Sequence, residues 1–418
     1  SFHGVRAWGT NFRYLMENHP VYVDPDDALA GRWMFMLSRM RANYRLELSP
    51  FGFDYSFLRP AQLLYDITPG IGKDAHFAPD YAIGLRLGWG GLLSKVRARR
   101  AETPPSNQES HELFLAEEDA ILGVQDLIRR TAREAEEKGL AELARSNAHL
   151  VEQPPRTLRE ACQWIVWFNI ASRTYNRDGA GGQLDVLLRP YYEQDKAAGL
   201  IDDEDAVFYL FCLLLNDPHY YQIGGPDGNG DDQTSELSYL ILRAARRLKS
   251  SCNITIRVHD GLPPRLFDEG VRCLVEERQS FPRFSGDEAL CRGFVKNGYS
   301  VELARRRIAL GCNWMSLPGL EYCMNDLVKV NFAKVFEVAW KEARCESTEA
   351  LYRSFAGHLQ KAVQVTGQGI AFHLAHQWEN EPELLLNLLS DGPIETGLDA
   401  SHGGARYYNI AVDGAALA

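Results

Sequence analysis

The 418-residue sequence predicts an α/β fold, a closed barrel of strands inside a helical shell. Three observations lead there. Apolar segments of helical period alternate with short β-branched runs from Leu158 onward, the pattern of strands linked by helices. At 45% hydrophobic and 24% charged residues, the composition is that of an ordinary globular protein, long enough to bury a large core without crosslinks. No internal repeat or long low-complexity stretch points to a solenoid. Counted along the chain, the alternation favours closure over an open doubly wound sheet.

The first hundred residues mix short helical patterns with aromatic and glycine-rich loops, such as SPFGFDY and TPGIGKDAHFAPDY. AETPPSNQES at 101–110 reads as an exposed loop. A long helix follows, from about Ser110 to Lys138, its charged second half solvated and Gly139 a C-cap. LREACQWIVWFNIASRTYN is a strongly apolar helix, and GQLDVLLRPYYEQDKAAG continues into loop and helix. Asp202–Leu215 is a buried helix with acidic residues at its start, where the helix dipole favours them. Thr234–Leu248 is helical. SCNITIRVHDG alternates β-branched and polar residues and reads as a strand ending in a turn. Phe267–Glu277 is helical, FPRFSGDEAL a short strand and loop, Ser300–Arg307 a helix, and IALGC a strand that runs into a cysteine loop.

Composition also excludes some functions. A net charge of −11 argues against nucleic acid as the main partner, since phosphate binding needs a positive footprint. It leaves room for an anionic small substrate held by one local arginine. The longest apolar run, AVFYLFCLLL at 206–215, falls short of the roughly 20 residues needed to cross a bilayer. The first residues carry no signal-peptide pattern, and both chain ends read as the interior of a longer chain. The eight cysteines form no C-x-x-C pair, and several sit in apolar helical patterns as small hydrophobes. The expected location is therefore a reducing cytoplasm.

Familiar chemistries find no support. There is no phosphate-binding P-loop and no G-x-S-x-G elbow. GGPDGNGDD at 224–232 reads as a loop. His373, His376 and Glu379 share a helical face but lack the H-E-x-x-H spacing, and no metal is expected. The notable element is RIALGCNWMSLPG at 307–319, which sets Cys312 between an apolar run and a turn. Its thiol is compatible with packing, with nucleophilic catalysis aided by His259, or with carrying a radical. A thiyl radical in a sealed pocket abstracts hydrogen from unactivated C–H bonds, which acid–base chemistry does not easily do.

Seven segments, in order and nearly end to end, resemble the glycyl radical enzymes, the family of pyruvate formate-lyase, glycerol and choline lyases and arylacetate decarboxylases. They are NHPVYVDPDDALAG, HFAPDY, GQLDVLLRPYYEQD, SCNITIRVHD, FPRFSGDEAL, GCNW and GLDASHGGARYYNIAVDGAALA. The resemblance implies a ten-stranded α/β barrel with two finger loops meeting inside, one carrying the cysteine, here Cys312. The other loop of the family carries a glycine in an R-V-x-G-Y-like motif, which a separate radical S-adenosylmethionine activase oxidises. Residues 1–418 are thus expected to form a single barrel domain, truncated at the C-terminus. The glycyl radical segment is expected elsewhere and no cofactor is expected to be bound. A small polar substrate, no membrane partner and a homodimer are the remaining expectations.

The sequence departs from the family pattern twice. No R-V-x-G-Y-like motif occurs in these residues. Trp314 also stands where the lyase and dehydratase branches resemble G-C-V-E, and tryptophan accepts no proton; nor does a second cysteine follow Cys312. Glu321 is the candidate replacement base, with loop bracing its alternative. Substrate-binding candidates are Asn313 and Trp314 beside the thiol, Asp287, Arg257 and His259 on one strand face, and Asp185, which equally suits tying down a helix. The competing functional readings are a catalytically inactive barrel serving as a binding or scaffold protein, and a non-radical enzyme using Cys312 as nucleophile.

Overall fold

The computed structural model describes residues 4–34, 56–69, 76–175, 181–218, 220–311, 314–344 and 347–416, without the side chains of residues 325, 326 and 380. Long helices form where the apolar period is 3.6. Val5–Glu17, Tyr81–Glu102, Gln108–Glu137 and Leu158–Tyr175 pack as the helical shell. The last is buried along nearly its whole length, which explains why its sequence is apolar all round. Its Trp164 and Phe168 stack with Trp89 at ring distances of 5.2 to 6.4 Å. Asp202 caps the helix Asp203–Asn216 in a capping box with Asp205. One apolar core runs from Val5 to Ala400, and a small second cluster surrounds Tyr65 and Val335.

Two local expectations shift. The exposed loop at 101–110 shortens to 103–107, because the flanking helices extend to Glu102 and start at Gln108, where the Asn107 side chain caps the Ser110 N–H. DEAL opens a helix, Asp287–Lys296, since its two acids favour a helix N-terminus.

Among the described residues nine strands form three sheets. Four short parallel strands, β2 (Gly182–Gln183), β3 (Tyr221–Ile223), β4 (Ile254–Val258) and β5 (Arg283–Gly286), are linked by helices. β8 (Glu321–Asn331) runs parallel to β9 (Tyr407–Ala415), with β1 (Thr68–Pro69) antiparallel on its other edge. Between the two arcs stands a hairpin, β6 (Ile308–Leu310) and β7 (Trp314–Ser316). β6 packs on β2 and β3, and β7 on β8.

The outer face of β2–β5 carries Tyr221, Ile223, Ile254 and Ile256, all buried beneath helices. Phe284 of β5 meets Phe267 of the helix Pro264–Val275 at 5.0 Å. The inner face is different. Pairing aligns Gln183, Gln222, Thr255 and Arg283 in one row, with Arg257 and Ser285 in the next. Gln222, Thr255, Arg257 and Ser285 are all buried. Parallel strands covered on both sides are normally apolar on both. A buried polar face is therefore the signature of an enclosed polar interior, and the hairpin stands in it.

Of the six described cysteines, Cys162, Cys212, Cys252, Cys273 and Cys323 are buried as expected, none in a disulfide. Burial pushes the Cys212 and Cys252 thiols up to about 12, which keeps them unreactive. No described helix is long and apolar enough to cross a membrane.

One buried acid gives the fold a pH dependence. Glu117, on the helix Gln108–Glu137, accepts a hydrogen bond from Asn387 Nδ2 at 3.1 Å. Burial pushes its carboxyl up to about 8, against the lowering effect of Asn387 and with the Asp399 carboxylate adding to it. The folded protein then holds a proton that the unfolded chain releases above pH 4.5. This contribution is complete below pH 4.5 and is lost as pH rises through about 8. Denaturant unfolding of Glu117→Gln between these limits is expected to show a flatter pH profile than the wild type. Parallel profiles for the two proteins refute the assignment.

Candidate active site

The sequence GCNW joins the two strands of the hairpin. Ala309 pairs with Met315 and Leu310 with Trp314, so residues 311–313 make the connection. Gly311 has φ 55°, left-handed backbone that glycine adopts without strain. Cys312 and Asn313 lie outside the described residues.

What the structure describes in detail is how the hairpin is held. On the β2–β5 side, buried Arg257 of β4 forms an ion pair with Asp287, at the start of the next helix. Its Nη1 also donates to the carbonyls of Arg305 (2.9 Å) and Arg307, just ahead of β6. Burial, together with the positive charge of Arg307, brings the Arg257 guanidinium down to about 10, still cationic at neutral pH. One strand over, Gln222 Oε1 accepts the Ala309 N–H at 2.8 Å.

On the β8–β9 side, Arg307 grips Glu321 with two hydrogen bonds, Nη1 to Oε2 at 2.8 Å and Nη2 to Oε1 at 2.6 Å. Both side chains have 0% exposure. The guanidinium lies over the rings of Phe294 (3.7 Å) and Tyr299 (4.3 Å). Glu321 Oε2 also accepts from Ser316 Oγ (2.9 Å), Leu317 N (3.1 Å) and Asn409 Nδ2 (3.1 Å). Oε1 faces the Tyr299 hydroxyl at 3.4 Å. A carboxylate has about four acceptor positions. Donors fill those of Glu321, so it is a brace and not a free base. The bracing alternative read from the sequence is the one its surroundings fit.

The other candidates divide the same way. Arg257 and His259 do not share a substrate-facing side. β4 ends at Val258, and His259 turns to the glycine-rich loop, where Nε2 donates to Asp232 Oδ1 at 2.9 Å. The Gly261 N–H donates to Nδ1 at 3.2 Å, which fixes the ring proton on Nε2. Asp287 is committed to Arg257 and accepts from the Cys291 thiol at 3.4 Å. Asp185 is fully buried, and its Oδ2 accepts from Gly224 N (2.7 Å) and Ser238 Oγ (2.5 Å), tying down the helix Glu236–Leu248. Burial pushes its carboxyl up to about 6. Trp314 is half-buried at the start of β7.

The direction of the hairpin follows from these contacts. Arg257, near the C-terminal end of β4, holds residues 305 and 307, whereas Gln222, mid-strand in β3, holds 309. A Cβ on Gly181, just before β2, meets Leu310 Cβ at 2.7 Å. The described strand β6 therefore runs toward the N-terminal ends of β2–β5, away from His259. Three residues gather at that end which the candidate list omits. The ring of buried His76 packs against Tyr220 at 4.1 Å, and the Arg283 guanidinium stands over Tyr220 at 5.9 Å. His76 lies in HFAPDY, and Arg283 in FPRFSGDEAL, two segments that were recognised as motifs without these positions being singled out.

A half-barrel with a buried polar lining stands around an ion-paired hairpin, and sequence and structure comparisons identify the family that has this arrangement. Residues 61–418 match the family model described as pyruvate formate lyase-like, and the chain belongs to this family, the glycyl radical enzymes. An isethionate sulfite-lyase from Desulfovibrio desulfuricans is 23% identical over 325 residues, covering 68% of this chain and 39% of that protein. A (2S)-3-sulfopropanediol dehydratase from Klebsiella oxytoca is 24% identical over 408 residues, covering 82% and 48%. The glycerol-bound B12-independent glycerol dehydratase from Clostridium butyricum superimposes with a TM-score of 0.88 at 17% identity, over 98% of this chain and 64% of the other. The α/β barrel fold is therefore that of these enzymes. The chain spans less than half the length of these two curated relatives.

Proposed function

We propose that this chain forms the substrate-holding barrel of a thiyl-radical lyase or dehydratase acting on a small polar organic molecule. The observation that carries the reading is the buried polar face of β2–β5 closing around the hairpin that bears Cys312. In the proposed reaction, the Cys312 thiyl takes a hydrogen atom from a substrate carbon. The C–H bond breaks homolytically and an S–H bond forms. The α-hydroxyl of the substrate radical gives up its proton as the neighbouring C–O or C–S bond breaks, so that the leaving group departs as water in a dehydratase, or as sulfite plus that proton in a sulfite-lyase, and an α-carbonyl radical remains. The thiol returns a hydrogen atom to the product radical and becomes a thiyl again. The radical is proposed to originate on a glycine outside these residues, oxidised by a radical S-adenosylmethionine activase. The working assembly is proposed to be a cytoplasmic homodimer.

This chain's residues supply placement and exclusion of water. Arg257, Gln222, Arg307 and Glu321 fix the hairpin from both arcs, and helices bury the outer face of β2–β5 behind it. The nucleophile reading loses its proposed histidine, because both ring nitrogens of His259 are engaged at the far end of β4. The experiment is anaerobic activation of the full-length protein by its activase. A glycyl doublet in the electron paramagnetic resonance spectrum and turnover that depends on it are expected. Activity in air with no activase would remove the reading. A barrel that binds small molecules yet never forms the radical would favour the scaffold alternative.

A further inference from the structure

We infer that the pocket at the base of the hairpin is a second ligand site, built for a small zwitterion, an α-amino acid with a short aliphatic side chain. The site stands apart from the proposed reaction and does not depend on it. The pocket has a volume of about 310 Å³ and an apolar floor that includes Val186, Ile308 and Leu317. Ile308 opens β6 and Leu317 follows β7, so a molecule bound there touches both legs of the hairpin. Gly228, in the loop after β3, also lines it. This is the C-terminal end of the parallel strands, where Arg257 holds residues 305 and 307. The pocket therefore lies at the far end of β6 from Gly311.

Two opposite charges, Asp80 and Arg306, line this space without closing on each other. Asp80 Oδ1 accepts the Ala82 N–H at 2.9 Å, capping the helix Tyr81–Glu102, and no described donor reaches Oδ2. Burial pushes the Asp80 carboxyl up, while the Ala82 N–H and the Arg306 charge act in the opposite sense. Arg306 has one charged partner among the described residues, Glu302, at 3.8 Å. That pair is exposed and beyond hydrogen-bonding distance, so it is weak and leaves the guanidinium N–H groups available. The glycine-rich loop places the Arg306 stem. A Cβ on Gly228 would meet Glu302 Cγ at 2.7 Å and Arg306 Cγ and Cδ at 3.6 Å, so glycine lets the two side chains lie across the loop. A carboxylate and a guanidinium set apart over an apolar floor match a molecule that carries an ammonium and a carboxylate on a small aliphatic body. The ammonium completes Asp80 and the carboxylate completes Arg306, each as a charge-assisted contact. A simple anion or a simple amine satisfies one side alone.

The test is calorimetric titration of the full-length, unactivated protein with L-valine, against two probes that each lack one of its charges. Isovalerate lacks the ammonium and isobutylamine lacks the carboxylate. L-valine is expected to bind, and each one-charge probe to bind about tenfold or more weakly, the loss typical of one charge-assisted contact. Asp80→Asn keeps the helix cap, since asparagine caps as well as aspartate. It is expected to weaken L-valine by a similar factor and leave isovalerate unchanged. Arg306→Met is expected to weaken L-valine likewise and leave isobutylamine unchanged. A merely structural role of either residue does not produce this crossed pattern, and unchanged unfolding midpoints show that the variants fold. Failure of L-valine to bind, equal binding by a one-charge probe, or binding indifferent to either substitution overturns the inference. Cys312→Ala is expected to bind L-valine as the wild type does, and loss of binding there overturns it too, by placing the ligand elsewhere. The outcome is independent of the radical, because no step of the measurement requires activation.

Discussion

Cys312→Ala is expected to reduce turnover of the activated full-length protein to background while leaving its folding and ligand affinity intact. The reason for the split lies in how the hairpin is held. The described strands of the hairpin are clamped by Arg257, Gln222, Arg307, Glu321, Ser316 and Asn409. These clamps hold the hairpin whatever residue stands at 312. Cys312→Ser separates radical from nucleophile. An O–H bond is stronger than an S–H bond, so a serine cannot be recruited by a glycyl radical, whereas a hydroxyl retains some nucleophilic capacity beside a base. Both variants are expected to be inactive with the glycyl signal still forming in each. Retained turnover in Cys312→Ala, measured anaerobically with the activase present, would dispose of both enzyme readings together.

The second large effect is expected at Arg307. Its removal in Arg307→Met leaves the Glu321 carboxylate buried without its countercharge, and breaking a buried pair in this way typically costs about 3–5 kcal/mol. Here the pair also links β6 to β8, so the hairpin loses its anchor to one of its two arcs. Chemical denaturation should show a midpoint shift of that size. Adding Glu321→Gln to Arg307→Met should recover part of the loss, because the amide carries no charge to strand, although Arg307→Met with Glu321→Gln still lacks the bidentate grip. A loss below about 1 kcal/mol in Arg307→Met, the range of a surface pair, would show that the pair does not anchor the hairpin.

Most of the architecture was legible before any coordinates. The helix at Asp203–Asn216 follows from its apolar run and its acidic start. The long helix at Gln108–Glu137 follows from its charge spacing and from Gly139, which has φ 75°. The strand Ile254–Val258 was visible in its alternation. The hairpin tip was flagged by GCNW, and the family by seven ordered motifs.

The roles of the polar residues were not legible in the same way. Arg257 and Asp287 are thirty positions apart and Arg307 and Glu321 fourteen, so sequence gives no sign that each pair shares one buried ion pair. His259 follows Arg257 by two, the spacing of one strand face, but the strand stops between them. In the strand of NITIRVHD, Thr255 and Arg257 stand opposite the isoleucines. On an ordinary half-buried strand that polar side meets solvent, and only the closing of the second arc and the hairpin over it makes it an interior. The chain by itself determined which segments are helix or strand, because those depend on local period and capping. It also marked GCNW as the link between two strands. Tertiary structure alone decided which charges neutralise one another, because burial and distance between remote residues set that choice.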